Sequence, residues 1–98
     1  MIRATRIRMK PSYSNTSTYY SLEAQLLEID EINLISATWN GWYKKAIVHD
    51  YINSGNEVTV DIYPNPRLIA VVSKNNEKYV RSSPNDSTHD NLLNLPRG

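Results

Sequence analysis

The sequence contains no cysteine, so neither a disulfide framework nor a thiolate zinc site can reinforce its core, and an oxidising compartment is not indicated. No stretch is long and apolar enough to cross a bilayer. Met1 to Lys10 also lacks the apolar run of a secretory signal, which together point to a cytoplasmic protein. Phenylalanine is absent too, so all the aromatic content sits in seven Tyr and two Trp. These rings carry polar tips and favour binding surfaces and subunit contacts, with the core edge as the plain alternative. A formal net charge of +1 excludes the strongly basic balance of a protein that coats DNA or RNA through many phosphates.

With 98 residues the chain is expected to form a single domain over residues 1–98, with room for one modest core and none for a large catalytic cleft. A β-rich chain of this size commonly gains stability by associating with copies of itself, which also covers strand edges, so a homo-oligomer is expected. The charges are unevenly placed. Arg3, Arg6, Arg8 and Lys10 open the chain, and Glu23, Glu28, Asp30 and Glu31 form an acidic stretch. Opposite patches of this kind suit either pairing between copies or a local anion pocket.

Period-two alternation makes Ile2 to Met9 a strand, with Arg6, Arg8 and Lys10 on one face and Ile7, Met9, Arg3 and Thr5 on the other. Lys10 to Thr18 reads as a loop. Tyr19 to Ile29 fits both a helical stripe (Leu22, Leu26, Ile29) and a strand (Tyr20, Leu22, Ala24, Leu26), and strand is preferred. Ile32 to Thr38 is extended. A helix is expected from Trp42 to Ser54, with a stripe of Ile47, Val48, Tyr51 and Ile52, Asn40 as N-cap and Gly55 as the left-handed terminator.

Glu57 to Tyr63 alternates as a half-buried strand and ends at Pro64-Asn65-Pro66, where the residue between the prolines is expected to be extended. Leu68 to Lys74 and Glu77 to Ser82 form a hairpin across Asn75-Asn76. A two-residue turn there would oppose Lys74 to Glu77, Val72 to Tyr79 and Ala70 to Arg81. Ser83 to Thr88 reads as a loop, and Asp90 to Leu95 as a short helical turn stopped by Pro96. The fold class is therefore α+β: a bent antiparallel β-sheet with one main α-helix and a short C-terminal helical turn.

His49 and His89 have no partners at metal-ligand spacing, and the sequence carries no nucleophile elbow, phosphate loop or zinc-protease motif. The neighbours His49-Asp50 and His89-Asp90 point in different directions and make no dyad. The chain is accordingly expected to be neither an enzyme nor a carrier of a metal or cofactor. What it does carry is a recognition inventory: Arg3, Arg6, Arg8, Arg67 and Arg81, the amides of Asn65, Asn85 and Asn91, and Tyr and Trp rings. Guanidinium forks bind phosphate, amides read base edges and rings stack on bases. The plain alternative is that the arginines pair with the chain's own carboxylates.

The stretch Lys78-Tyr79-Val80-Arg81-Ser82-Ser83-Pro84-Asn85-Asp86, followed by Asp90-Asn91-Leu92-Leu93-Asn94-Leu95-Pro96, resembles the K-Y-[VL]-R-[ST] … D-N-L-L-x-L-P ending of a family of small bacterial and phage proteins. Ile2-Arg3-Ala4-Thr5-Arg6-Ile7 resembles that family's opening strand. Within this set, the opening strand, the helix ending in Gly55 and the Arg81 to Pro96 ending are most similar to the first family of Thoeris anti-defence proteins of phages.

That resemblance implies a sponge, which binds glycocyclic ADP-ribose unchanged and, in some members, the cyclic oligonucleotides of CBASS defence. It also implies symmetric oligomers, dimers or higher such as hexamers, with pockets at a dimer interface. The partner would be a small nucleotide signal, with no DNA or RNA duplex and no membrane. Carried onto this sequence, Arg81 would take the phosphates, with Arg6, Arg8 and Ser83 as further ligand-binding candidates. Asn65 would read the base, Tyr63 or Trp42 would stack, and Asn91 would bind ligand or, as the preferred reading, cap the terminal loop. Two other classes use the same inventory: a protein-interaction module that blocks a host factor, and a single-strand nucleic-acid binder, against which the near-zero net charge argues.

Overall fold

The structure, a computed structural model, describes residues 2–11, 22–63, 65–83 and 90–98. The expected loop from 12 to 18, Tyr19, Tyr20, Pro64, the loop residues 84–88 and His89 lie outside the described residues. Strand β1 (Ile2–Met9) forms as its alternation requires, but its phase breaks once. Ala4 pairs with Leu34 and Arg6 with Asn33, so Thr5 is the extra residue of a bulge. Ile2, Ala4 and Ile7 are therefore buried while Arg3, Arg6 and Arg8 are exposed. Unbroken period two had placed Arg3 on the side of Ile7, and the bulge moves it to the side of Arg6.

The segment preferred as a strand is instead helical: α1 spans Leu22–Leu27. The helical stripe wins because Leu26 enters the core, where it is fully buried. The chain then turns at Glu28, whose amide bonds to the Gln25 carbonyl at 3.1 Å, and Ile29 already belongs to β2 (Ile29–Ile35). β2 starts earlier than the apolar run suggested because its polar opening is tied down by charge. Glu31 meets Arg8 at 3.3 Å and Asp30 meets Lys44 at 3.2 Å. At the tip, the Ser36 hydroxyl accepts from the amides of Thr38 (3.1 Å) and Trp39 (3.0 Å), a serine turn.

Asn40 is no helix cap. It opens β3 (Asn40–Lys44), which runs antiparallel to β2 with Trp42 opposite Asn33. Helix α2 (Lys45–Asn53) begins three residues later than expected, with Lys44 at the N-cap and no side-chain cap. Strand pairing claims Trp42 and Tyr43, whose ring packs beside Trp39. Within α2, Val48 is buried as expected, but Ile47 points outward and Lys45 turns inward to meet Glu77 at 2.9 Å. Gly55 does end the helix, at φ 100°, and its amide bonds to the Ile52 carbonyl.

β4 (Val58–Val60) pairs parallel to β1, Ile2 opposite Val58 and Ala4 opposite Val60, which corrects the expectation of an all-antiparallel sheet. The main sheet is mixed, in the order β3-β2-β1-β4, because α2 carries the chain across before it returns. The strand is also shorter than the alternating run. The Asp61 amide bonds to the Ala4 carbonyl and the chain turns away, with Asn65 at φ 59° rather than extended. Asparagine tolerates that conformation, and it is held here by the Asn65 amide to the Ile62 carbonyl (2.6 Å) and the Asn65 side chain to the Val60 carbonyl (3.1 Å).

β5 (Leu68–Val72) and β6 (Lys78–Ser82) form the predicted hairpin, one residue out of the predicted register: Val71 faces Tyr79 and Ile69 faces Arg81. The loop is longer than two residues. The Ser73 amide bonds to the Glu77 carbonyl and the Asn76 amide to the Ser73 carbonyl, and Asn76 has positive φ, at 64°. A turn followed by one left-handed residue shifts the register by one. Glu77 then reaches Lys10 and Lys45 instead of Lys74.

An isolated bridge between Thr59 and Arg67 joins β4 to the hairpin, which forms a separate two-stranded sheet. α2 packs on β5 and β6. The core between the layers includes Ile7, Ile32, Leu34, Val48, Val60 and Leu92. As expected, Asn91–Asn94 makes a short 3-10 turn ahead of Pro96. The architecture is thus α+β, and no helix among the described residues is long and apolar enough to cross a membrane.

Candidate functional site

The motif that carried the resemblance folds into a clasp. Asp90 is only 4% exposed, and its carboxylate accepts from the Ser82 hydroxyl at 2.7 Å, the Ser82 amide at 3.2 Å and the Leu92 amide at 2.9 Å. A carboxylate this deep is tolerable only when its acceptor sites are filled. The Ser82 hydroxyl in turn accepts from the Asn91 amide at 3.2 Å. The capping residue is therefore Asp90, where Asn91 had been expected. Aspartate provides an acceptor for the amide two residues on, and Asn91 contributes its main chain.

Arg81 joins the same group. Its Nε lies 4.0 Å from Asp90 and is buried without a hydrogen-bond partner, while the side chain as a whole is 38% exposed. Tyr79 is buried, and its carbonyl accepts from Nδ1 of the buried His49 at 3.0 Å, which gives His49 a structural task. Among the described residues no cluster could hold a metal ion.

The remaining site candidates fall in separate places. Tyr63 is 90% exposed on the turn after β4, and the amide of Asn65 is engaged by the Val60 carbonyl. Arg6, Arg8 and Trp42 come together on the outer face of the main sheet, one row of which runs Arg6–Asn33–Trp42 across three strands. The Arg8 guanidinium sits 3.9 Å from the centroid of the Trp42 ring. Arg6 is exposed and makes no ion pair among the described residues.

Ser83 lines a different feature, a cavity of about 550 Å³ between the end of α2 and β5. Ile52, Leu68 and Ala70 give it apolar walls, and Asn53, Ser83 and Arg67 bring polar groups. Arg67 is held loosely, with Nε 3.6 Å from Glu57 and the side chain 70% exposed. Its place beside Ser83 follows from the hairpin, since the Ser83 amide bonds to the Arg67 carbonyl at 2.7 Å. Arg67 belonged to the general inventory and was not singled out, because only the fold brings residues 53, 67 and 83 to one spot.

A second cleft, of about 420 Å³, lies at the start of α2 and includes Lys44, Lys45 and Lys78. All three lysines are paired, with Asp30, Glu77 and Asp50. The Lys45 hydrogen bond holds the Glu77 carboxyl below its ordinary value against the opposing effect of burial, with Lys10 adding to it. The Lys78 hydrogen bond likewise lowers Asp50. This cleft is neutralised from within and leaves little charge for a ligand.

A family model described as a protein of unknown function, DUF3892, matches residues 28–96. The chain belongs to that family. The match runs from the turn before β2 to Pro96, so the cavity and the clasp both lie inside it while β1 lies outside. No curated protein matches the chain, and no solved structure does.

Proposed function

We propose that this protein is a phage anti-defence sponge: it sequesters a nucleotide immune signal, glycocyclic ADP-ribose or a cyclic oligonucleotide of CBASS, without degrading it. The observation that carries the reading is the cavity of about 550 Å³ that Arg67 helps to line. A cavity of a few hundred Å³, mostly apolar with a few convergent polar groups, is the usual form of a small-molecule site. Arg67 supplies a fork for phosphate, Ser83 and Asn53 supply hydrogen bonds, and Ile52 and Leu68 accept an apolar face of the ligand. The resemblance of the opening strand and terminal motif to Thoeris anti-defence proteins supports the class of ligand. Arg81 then has a supporting role, holding the hairpin end from which Ser83 projects.

Competing with a receptor for a scarce signal requires a Kd of roughly 1 nM, about 12 kcal/mol. Isothermal titration with glycocyclic ADP-ribose tests this, followed by heat release and chromatography of the bound molecule. Tight binding with intact ligand recovered, and a loss of about tenfold or more in Arg67→Ala, supports sequestration at this cavity. Altered ligand would make the protein an enzyme, and absence of binding to any cyclic nucleotide would overturn the reading. A direct block of a host protein is the second reading. It draws on Ile47 and Val72, which are 51% and 50% exposed on elements that pack together. It expects a stable protein complex with no dependence on a small molecule.

A further inference from the structure

The outer face of the β3-β2-β1-β4 sheet has features that the cavity reading does not use. The bulge at Thr5 gathers Arg3, Arg6 and Arg8 on this face of β1. The next strand places Asn33 beside Arg6, and the one after places Trp42 beside Asn33. The Thr5 hydroxyl donates to Oδ1 of Asn33 at 2.8 Å, which fixes that amide and leaves its NH₂ group to donate elsewhere. Trp42 is fixed as well, with Arg8 3.9 Å from its ring centroid and Gly98 packed so closely that a Cβ there would fall 2.2 Å from the ring. Arg8 remains 44% exposed, so part of its side chain is open to solvent even with Trp42 against it. Arg3 is lightly engaged, at 3.6 Å from Asp61, Arg8 is held by a hydrogen bond to Glu31 at 3.3 Å, and Arg6 makes no ion pair among the described residues.

We infer that this face binds single-stranded nucleic acid, independently of any ligand in the cavity. A phosphate meets Arg6, the amide of Asn33 donates to a base edge, and a base stacks beside the Arg8–Trp42 pair, using the exposed part of Arg8. Bases stack on guanidinium planes as well as on aromatic rings, and an open sheet surface is a recurrent platform for splayed single strands. The occupant follows from shape and charge. Among the described residues this face is made of strand side chains, with no helix placed across it to enter a duplex groove, and its arginine without an ion pair, Arg6, is cationic. Because the whole chain carries only +1, the attraction is local and the salt dependence shallow.

Fluorescence anisotropy of the full-length protein with labelled twelve-nucleotide oligo-dT and oligo-U, together with free thymidine and uridine monophosphates, tests the inference. Intrinsic fluorescence is read in parallel for the Trp42 environment. Binding of an oligonucleotide with a log–log salt slope of about −2, from two to three phosphate contacts, is expected. Arg6→Glu should weaken it about tenfold or more, whereas Lys74→Glu, the same charge change on the exposed hairpin loop, should weaken it less than about twofold. Arg6 is exposed and makes no ion pair among the described residues, so its variant keeps the wild-type circular dichroism.

No anisotropy change at low salt, equal loss in both variants, or binding of the monophosphates alone would overturn the inference. The same Arg6→Glu protein titrated with glycocyclic ADP-ribose separates the two sites. Its affinity for the signal stays as in the wild type if the cavity holds the signal, whatever happens to the oligonucleotide.

Discussion

At the clasp, Asp90 receives three donors and stands beside Arg81, while on the outer sheet face Arg6 meets no carboxylate at all among the described residues. Both regions are made of arginine, asparagine and hydroxyl residues. In the first, the Ser82 and Leu92 donors are taken up around a buried charge and fix the chain, while Arg81 Nε stays without a hydrogen-bond partner; in the second and at the Arg67 cavity, donors are left over for something else. The lesson is that the most distinctive string of residues spends much of its hydrogen-bonding capacity on holding the chain, whatever Arg81 Nε is left to bind. A buried carboxylate demands a specific set of donors and therefore writes a recognisable motif. A cationic face needs only the right charge at the right register, which leaves little trace in sequence.

Substitutions can break this contrast, and the largest effect is expected at Asp90. Asp90→Ala removes the acceptor of the Ser82 and Leu92 amides and of the Ser82 hydroxyl, leaving buried donors unmet. A loss of about 3 kcal/mol in urea unfolding is expected, with the m-value unchanged. A loss below about 1 kcal/mol would mean that the clasp is no anchor and that its residues are available to a ligand.

A smaller effect is expected at Asn65. Asn65→Ala keeps φ at 59° without the side-chain bond to Val60, at a cost of about 1–2 kcal/mol. Asn65→Gly, which is relaxed at that φ, should recover part of it. If the alanine variant instead unfolds like the wild type but loses affinity for a nucleotide, Asn65 belongs with the binding groups.

The smallest effect is set by pH. Lys45 and Lys10 lower the Glu77 carboxyl below its unfolded value, so its contribution is complete above that unfolded value and is lost as pH falls through the lower, folded one. Glu77 is 40% exposed, so water screens the pair and the contribution is below about 1 kcal/mol. Stability measured between neutral pH and the acidic carboxylate range should therefore fall slightly less steeply in Glu77→Gln than in the wild type. A steeper fall in the variant would contradict the pairing.

Much of the fold was legible where one local rule decided the outcome. Gly55 ends α2 because positive φ favours glycine, and Asp90 to Leu95 turns and stops because Pro96 cannot continue a helix. The failures share a cause in tertiary partners. The bulge at Thr5 is set by β2, the helix over Leu22–Leu27 by the burial of Leu26, and the parallel pairing of β4 by a crossover that no local pattern records. A one-residue slip in the hairpin came from counting the turn as two residues when Asn76 adds a third conformation to it.

Among the site candidates, the meeting of Arg6, Arg8 and Trp42 was within reach of sequence. All three were named, but strand order was needed to place Asn33 between them. Arg67 and Ser83 became neighbours only through the hairpin register.

The unhelical edge of β1 has a consequence for how the chain comes together in time. Ile2 to Ala4 pair with β4, and Ile7 bridges to Arg97 while its amide bonds to the Pro96 carbonyl. The first strand is thus completed by segments made much later. A nascent chain emerging from the ribosome can zip β1 to β2 and β3, yet it must expose one flank of β1 until residue 97 has been released. Closing such distant pairings slows folding relative to local hairpins. The hydrogen-exchange protection of Ile7 should accordingly appear late in refolding, together with that of Gly98 and after that of Ile32 and Leu34.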